Sequence, residues 1–121
     1  MSRTALVVDD STSMRGMVAF TLKQAGFAVV ESTNGQEALT ALDRASVQLI
    51  VTDLNMPVMD GITFIRQART RAAHRFTPIL MLTTEAGDAK KQEGRAAGAT
   101  GWIVKPFNPE QLIGVVKKIL P

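Results

Sequence analysis

A chain of 121 residues supports one hydrophobic core and not two, and its 45% hydrophobic and 21% charged residues exclude a disordered tail. With no cysteine, disulfides and thiolate metal sites are excluded, and a reducing cytoplasm is the expected compartment. The net charge of +3 raises nucleic acid as a partner, but Arg66, Arg69, Arg71, Arg75, Lys90, Lys91 and Arg95 have only Phe76 among them as an aromatic and belong to no DNA-binding motif; they read as solvated faces, at most a dock for an acidic protein surface.

After Met1-Ser2-Arg3, the apolar run Thr4–Val8 predicts a first strand, too short for a signal peptide and closed by Asp9-Asp10. No later stretch is long and apolar enough to cross a bilayer, so no membrane is expected as a partner. Met14, Met17, Val18, Leu22 and Ala25 then recur at helical spacing, with Gly26 where a left-handed cap belongs. Strand two is expected at Phe27–Glu31, followed by a helix with the stripe Ala38, Leu39, Ala41, Leu42 and Ala45. Strand three, Gln48–Thr52, runs into Asp53. The third helical stripe goes from Ile62 through Ile65 and Ala68 to Ala72.

Strand four, Pro78–Leu82, leads to Thr83-Thr84. The fourth helix, about Gly87 to Ala97, carries Gly94 in its middle at a cost of about 1 kcal/mol against alanine. Its apolar residues are only alanines, which predicts a thinly buried, adjustable element. Strand five, Gly101–Val104, meets Lys105-Pro106. Asn108 as N-cap and Pro109 open the last helix, with Leu112, Ile113, Val116, Ile119 and Leu120 as its stripe and its end at Pro121. No output domain is expected after it. His74, the only histidine, reads as a solvated loop residue in preference to a phosphodonor relay, and the six methionines as adaptable packing.

Alternating strands and helices predict an α/β fold: one domain over residues 1–121, a doubly wound five-stranded parallel sheet in the order 2-1-3-4-5, flavodoxin-like, with helices on both faces. The first strand–helix loop has neither G-x-G-x-x-G nor a P-loop, which argues against dinucleotides and nucleoside triphosphates. Its paired aspartates would repel a flavin phosphate and prefer a cation.

Ligands of such sheets bind outside the carboxyl ends of the strands, where Asp9, Asp10, Asp53 and Lys105 converge. Crowded carboxylates suit a hard cation such as Mg²⁺, held by Asp10, Asp53 and a backbone carbonyl near Asn55, with Asp9 acting through water. Asp53 beside that metal is a nucleophile toward phosphorus, Thr83 and Thr84 are donors to phosphoryl oxygens, and Lys105 balances charge. Each residue alone has a bland reading as a turn, strand-end or surface residue; the set at corresponding strand ends does not.

Together, Val8-Asp9-Asp10, Asp53-Leu54-Asn55-Met56-Pro57 with Asp60-Gly61, Thr83-Thr84-Glu85 and Lys105-Pro106-Phe107 resemble the receiver domains of two-component response regulators, CheY-like single-domain chemotaxis regulators in particular, along the whole chain. The resemblance implies that Asp53 takes a phosphoryl group from a sensor histidine kinase and that Asp9 and Asp10 hold Mg²⁺. It implies Thr83 as the switch hydroxyl, Lys105 as the phosphoryl partner, and a cis bond before Pro106. Trp102 stands at the family's rotating aromatic switch, usually Tyr or Phe; the alternative is a half-buried sheet aromatic. Asn55 and Glu85 are placed to orient a hydrolytic water, and Thr84 to narrow its access.

The expectation is therefore a monomeric, phosphorylation-dependent binding switch acting through the face of the fourth helix, fifth strand and fifth helix. It is not an enzyme beyond its own phosphorylation and dephosphorylation. A flagellar motor switch protein is one possible target, although Gly87 and Asp88 stand where lysines would be expected for that docking, and Lys90-Lys91 replace residues that assist it. A phosphate sink or a phosphorelay adaptor outside chemotaxis remain alternatives. So do an aspartyl-phosphate phosphotransferase on an external substrate, which would want a carboxylate where Asn55 stands, and a constitutive interaction module.

Overall fold

Strands as apolar as Ala5-Leu6-Val7-Val8 must be covered on both faces, and the computed structural model, which describes residues 3–120, covers them with two helical layers. The strands are β1 (Arg3–Val8), β2 (Phe27–Ser32), β3 (Leu49–Thr52), β4 (Ile79–Thr83) and β5 (Gly101–Val104). The helices are α1 (Thr12–Gln24), α2 (Gly35–Arg44), α3 (Gly61–Ala68), α4 (Asp88–Ala97) and α5 (Pro109–Ile119). All neighbours pair in parallel in the order β2-β1-β3-β4-β5, as expected. The expected start at Met1-Ser2 and end at Pro121 lie outside the described residues.

The period-two geometry of the strands sorts their side chains into two cores. Leu6, Val8, Ile50, Ile79 and Met81 pack with Leu39, Phe64 and Ile65 of α2 and α3. Ala5, Val7, Leu49, Val51, Leu80 and Leu82 pack with Val18, Leu22, Leu112 and Val116 of α1 and α5. Each fully buried Leu, Ile or Phe contributes about 1.5–3 kcal/mol. Side-chain caps start four helices, with Ser11, Asn34, Asp60 and Asn108 each accepting a backbone N–H of the first turn. Gly26 takes the left-handed cap at φ 99°.

Two expectations are corrected below the sheet. Helix α3 stops at Ala68 instead of reaching Ala72, and residues Ala72–His74 form a separate 3₁₀ turn. Arg69 is the cause. Far from being a solvated cation, it donates from its guanidinium to the carbonyls of Thr77 and Gly98, both at 2.6 Å, and of His74 at 3.0 Å. The bonds to His74 and Thr77 fold the chain between α3 and β4 back on Arg69, which a continued helix would forbid, and the bond to Gly98 ties that fold to the end of α4.

His74 is not solvated either; its side chain is fully buried. Its Nε2 accepts the Val47 N–H at 3.2 Å, so the ring is neutral with its proton on Nδ1, which has no partner among the described residues. Burial lowers its pKa below the ordinary 6.5, aided by Arg69 and Arg71 and opposed by Asp43. Because protonation then favours the unfolded chain, stability is full above about pH 6.5 and falls as the pH drops below it. Urea melts at pH 7.5 and 5.5 should show a loss of about 1 kcal/mol, smaller in His74→Gln; equal losses in both proteins would place the effect elsewhere.

Candidate functional site

The parallel register fixes the site before any side chain is considered. Val8 stands opposite Thr52, and Thr83 opposite Val104. With Thr52 level with Met81 and Met81 with Trp102, Asp9 and Asp53 leave the sheet side by side at its carboxyl edge, and Lys105 follows from the end of β5 two residues further along. Lys105 Nζ lies 3.2 Å from Asp9 Oδ2 and 3.5 Å from Asp53 Oδ2, bridging the two acids. Its backbone N–H donates to the Thr83 carbonyl at 2.8 Å, which ties the lysine to β4. The Lys105–Pro106 peptide is cis, as the resemblance implied.

Asp53 is 9% exposed and Asp9 4%, whereas Asp10 is exposed. Asp53 Oδ1 accepts the Leu54 N–H at 2.7 Å, leaving Oδ2 as the oxygen that faces Lys105. Its pKa is raised above 3.8, chiefly by burial, with Asp9 adding a smaller upward push and Lys105 and the Leu54 N–H opposing it. Desolvation, more than like-charge crowding, is thus what strains this carboxylate. The neighbourhood tolerates nothing larger than glycine at position 61, where a Cβ would collide with the Asp53 carbonyl. Asp60, beside it, caps α3 through the Thr63 N–H. The Asp60-Gly61 pair is therefore a scaffold for the acid, a role that the sequence marked only by position.

Asp9, Asp10 and Asp53 each offer a carboxylate oxygen, all within 4.8 Å of one another. Three carboxylates against the single ammonium of Lys105 leave two negative charges to be matched. All-oxygen donors with that excess fit Mg²⁺. Asn55 is exposed on the loop two residues past Asp53. In the same loop Val58 adopts φ 71°, closed by the Met59 N–H on the Pro57 carbonyl at 2.7 Å, a strained γ-turn for a β-branched residue.

Thr83 is fully buried and its Oγ1 accepts the Glu85 N–H at 3.3 Å, so its own hydrogen is free to be donated. Thr84 is exposed. Glu85 is held three times: besides the bond to Thr83, its Oε1 accepts the Gly87 N–H at 3.0 Å and its carbonyl accepts Trp102 Nε1 at 3.0 Å. Trp102 is half-buried with its indole over α4, and a Cβ at Gly94 would lie 2.6 Å from Trp102 Cζ3. Gly94 is therefore less a weakness of an adjustable helix than the seat of the indole. The sequence signal for this was a mid-helix glycine eight residues before a bulky aromatic.

Residues 5–117 match the family described as "Response regulator receiver domain". The Helicobacter pylori chemotaxis protein CheY1 is 40% identical over 109 residues, 88% of either chain. The Bacillus subtilis transcriptional regulatory protein ResD is 40% identical over 115 residues, which are 95% of this chain and 47% of that one. The solved structure of Vibrio cholerae chemotaxis protein CheY4 superposes with a TM-score of 0.96 at 49% identity, over 99% of this chain and all of the other.

Two outcomes follow from the geometry. Asp53→Ala should stabilise the metal-free protein by about 1 kcal/mol, because it removes a desolvated charge. Mg²⁺ at a hundred times its dissociation constant should stabilise the wild type by about 2.7 kcal/mol and the variant far less; equal stabilisation in urea melts would move the metal elsewhere. Gly94→Ala should reverse the usual helix preference and cost about 1–3 kcal/mol through overpacking, with Trp102 fluorescence shifting toward that of an exposed indole. A gain in stability with unchanged emission would mean that the indole is not seated there.

Proposed function

The chain belongs to the response regulator receiver family, and on that premise we propose that it is a phosphorylation-dependent protein-binding switch. The observation that carries this reading is Asp53 Oδ2, a largely buried carboxylate oxygen facing Lys105 Nζ at 3.5 Å at the edge of an acidic cluster. In this reading Oδ2 attacks the phosphorus of a phosphohistidine on a sensor histidine kinase. A P–O bond forms as the P–N bond breaks, and the departing imidazole nitrogen keeps the electron pair and takes up a proton. Asp9, Asp10, Asp53 and the Asn55 carbonyl are the residues that would hold Mg²⁺. When bound, that ion neutralises phosphoryl charge.

Lys105 is already poised to exchange its carboxylate contacts for a phosphoryl oxygen, and Thr83 has a hydroxyl hydrogen to donate to another. Movement of Thr83 toward the site would strain its bond from the Glu85 N–H, and Glu85 is also where Trp102 is bound. The output is thereby passed to the α4-β5-α5 face, with the indole as a seated strut and not a freely swinging ring. Hydrolysis returns the switch to rest: water attacks phosphorus, the P–O bond to Asp53 breaks, and inorganic phosphate leaves. Asn55 and Glu85 are assigned to orienting that water and Thr84 to limiting its approach.

Chemotaxis is the pathway this reading favours, since the H. pylori and V. cholerae relatives matched over nearly their full lengths are chemotaxis proteins. The downstream target is then a protein such as a flagellar motor switch component. The cytoplasm, with its Mg²⁺ and phosphodonors, is the compartment the chemistry requires, and no enzymatic turnover of an external substrate is assigned.

Intact-protein mass after incubation with Mg²⁺ and acetyl phosphate should show a single phosphoryl adduct, labile in base and absent from Asp53→Asn. An adduct that survives in Asp53→Asn would overturn the assignment.

A further inference from the structure

Asp9 is bonded at every polar atom it has. Its N–H donates to the Ser32 carbonyl at 3.1 Å, Oδ1 accepts the Ser11 N–H at 2.9 Å, and Oδ2 accepts Lys105 Nζ at 3.2 Å. The remaining atom, the backbone carbonyl, accepts from Arg15 Nη1 at 2.8 Å. Arg15 lies in the first turns of α1 with its side chain 14% exposed, and its Nε is anchored 3.2 Å from Glu31 Oε1 on β2. The guanidinium thus spans from an edge strand to the carbonyl of an acid in the site. No contact of Arg15 with an acidic side chain of the site is needed for this, and its charge is answered by Glu31.

We infer that Arg15, held by Glu31, is a positioning residue for the metal site: it fixes the Asp9 carbonyl, and so the placement of Asp9 and the adjoining Asp10. The inference rests on the assignment of Mg²⁺ to these acids. Groups one layer out from metal ligands orient them, and their loss typically costs 10–100-fold in affinity. The opposite effect competes with this. A cation near an acidic cluster opposes binding of another cation, so if Arg15 acted only through charge, its removal would tighten the site. The two roles differ in sign.

Geometry also separates the two ions that all-oxygen sites take. Mg²⁺ demands near-octahedral placement of its ligands, whereas Ca²⁺ tolerates irregular ones. Loosening the loop between β1 and α1 should therefore harm Mg²⁺ binding more than Ca²⁺ binding. General destabilisation of the fold, at a temperature where every variant remains folded, moves neither dissociation constant selectively.

The test is calorimetric titration of wild type, Arg15→Met, Arg15→Lys and Glu31→Gln with MgCl₂ and with CaCl₂, with circular dichroism to verify folding. Arg15→Met and Arg15→Lys should each weaken Mg²⁺ binding about 10-fold and Ca²⁺ binding less. Lysine fails in this scheme because a single ammonium cannot replace the fork that reaches both Asp9 and Glu31. Glu31→Gln, which keeps the guanidinium but loosens its anchor, should fall between, and it carries the test if the Arg15 variants do not fold. Unchanged or tighter Mg²⁺ binding in Arg15→Met, or wild-type affinity in Arg15→Lys, would overturn the positioning role. A wild type without saturable Mg²⁺ binding would instead overturn the metal site itself, and the role with it.

Discussion

The bridge from Lys105 to Asp9 and Asp53 is the interaction on which the site depends, and it exists because parallel strands bring their carboxyl ends to one edge of the sheet. Strand β5 runs two residues past β1 and β3, so that the long lysine side chain reaches back to the two acids. None of these residues is near another in sequence; the lysine is 96 positions from Asp9. Their meeting is a property of the β1-β3-β4-β5 ladder, whose two apolar faces fix the register by burying alternate side chains in opposite cores. A slip of one residue would turn Val7 and Val8 to the wrong layers and scatter the charges. The hydrophobic pattern that folds the sheet is thus the same pattern that assembles the chemistry.

The site is built at the expense of local stability. Asp53 is desolvated and its neighbour Lys105 only partly compensates, as the raised pKa of the acid records. Around it the backbone is packed too closely for any side chain at Gly61, and the adjoining loop turns through a positive φ at Val58. Strain of this kind persists where the surrounding structure overdetermines it. Here the surroundings are the caps, the Gly61 contact and the sheet beneath, so that the strained segment sits on a rigid floor. Beside it Thr83 is bonded to Glu85, Glu85 to the indole of Trp102, and the indole rests on Gly94, the chain of contacts along which the proposed switch would act.

The fold and the core of the site were legible because they are written in patterns with a simple physical period. Apolar runs closed by Asp or Lys gave the strands and their functional ends, and Asn108-Pro109 gave a helix start that the structure reproduces. What could not be read were contacts between elements distant in sequence. Nothing local distinguishes His74 from a loop histidine until Val47 supplies the N–H it accepts. Arg69 looked like one more surface cation because the carbonyls it gathers come from two separate stretches of chain, residues 74–77 and Gly98. Gly94 looked like a defect in α4 until the ring of Trp102 occupied the place of its missing side chain. The Asp9 clamp was hidden for the same reason, since Arg15 of α1 joins Glu31 of β2 to the backbone carbonyl of Asp9, an atom that no motif encodes.

The most direct test of the central claim, that a group arriving on Asp53 is taken up by Lys105 and Thr83 together, is a crystal structure of the protein with Mg²⁺ and beryllofluoride, a mimic of an acyl phosphate. The expected result has beryllium on Asp53 Oδ2, Lys105 Nζ within hydrogen-bond distance of one fluoride, and the Thr83 hydroxyl turned to donate to another. Beryllofluoride bound away from Asp53, or bound there with Lys105 still bridging Asp9 and Thr83 unmoved from Glu85, would contradict it.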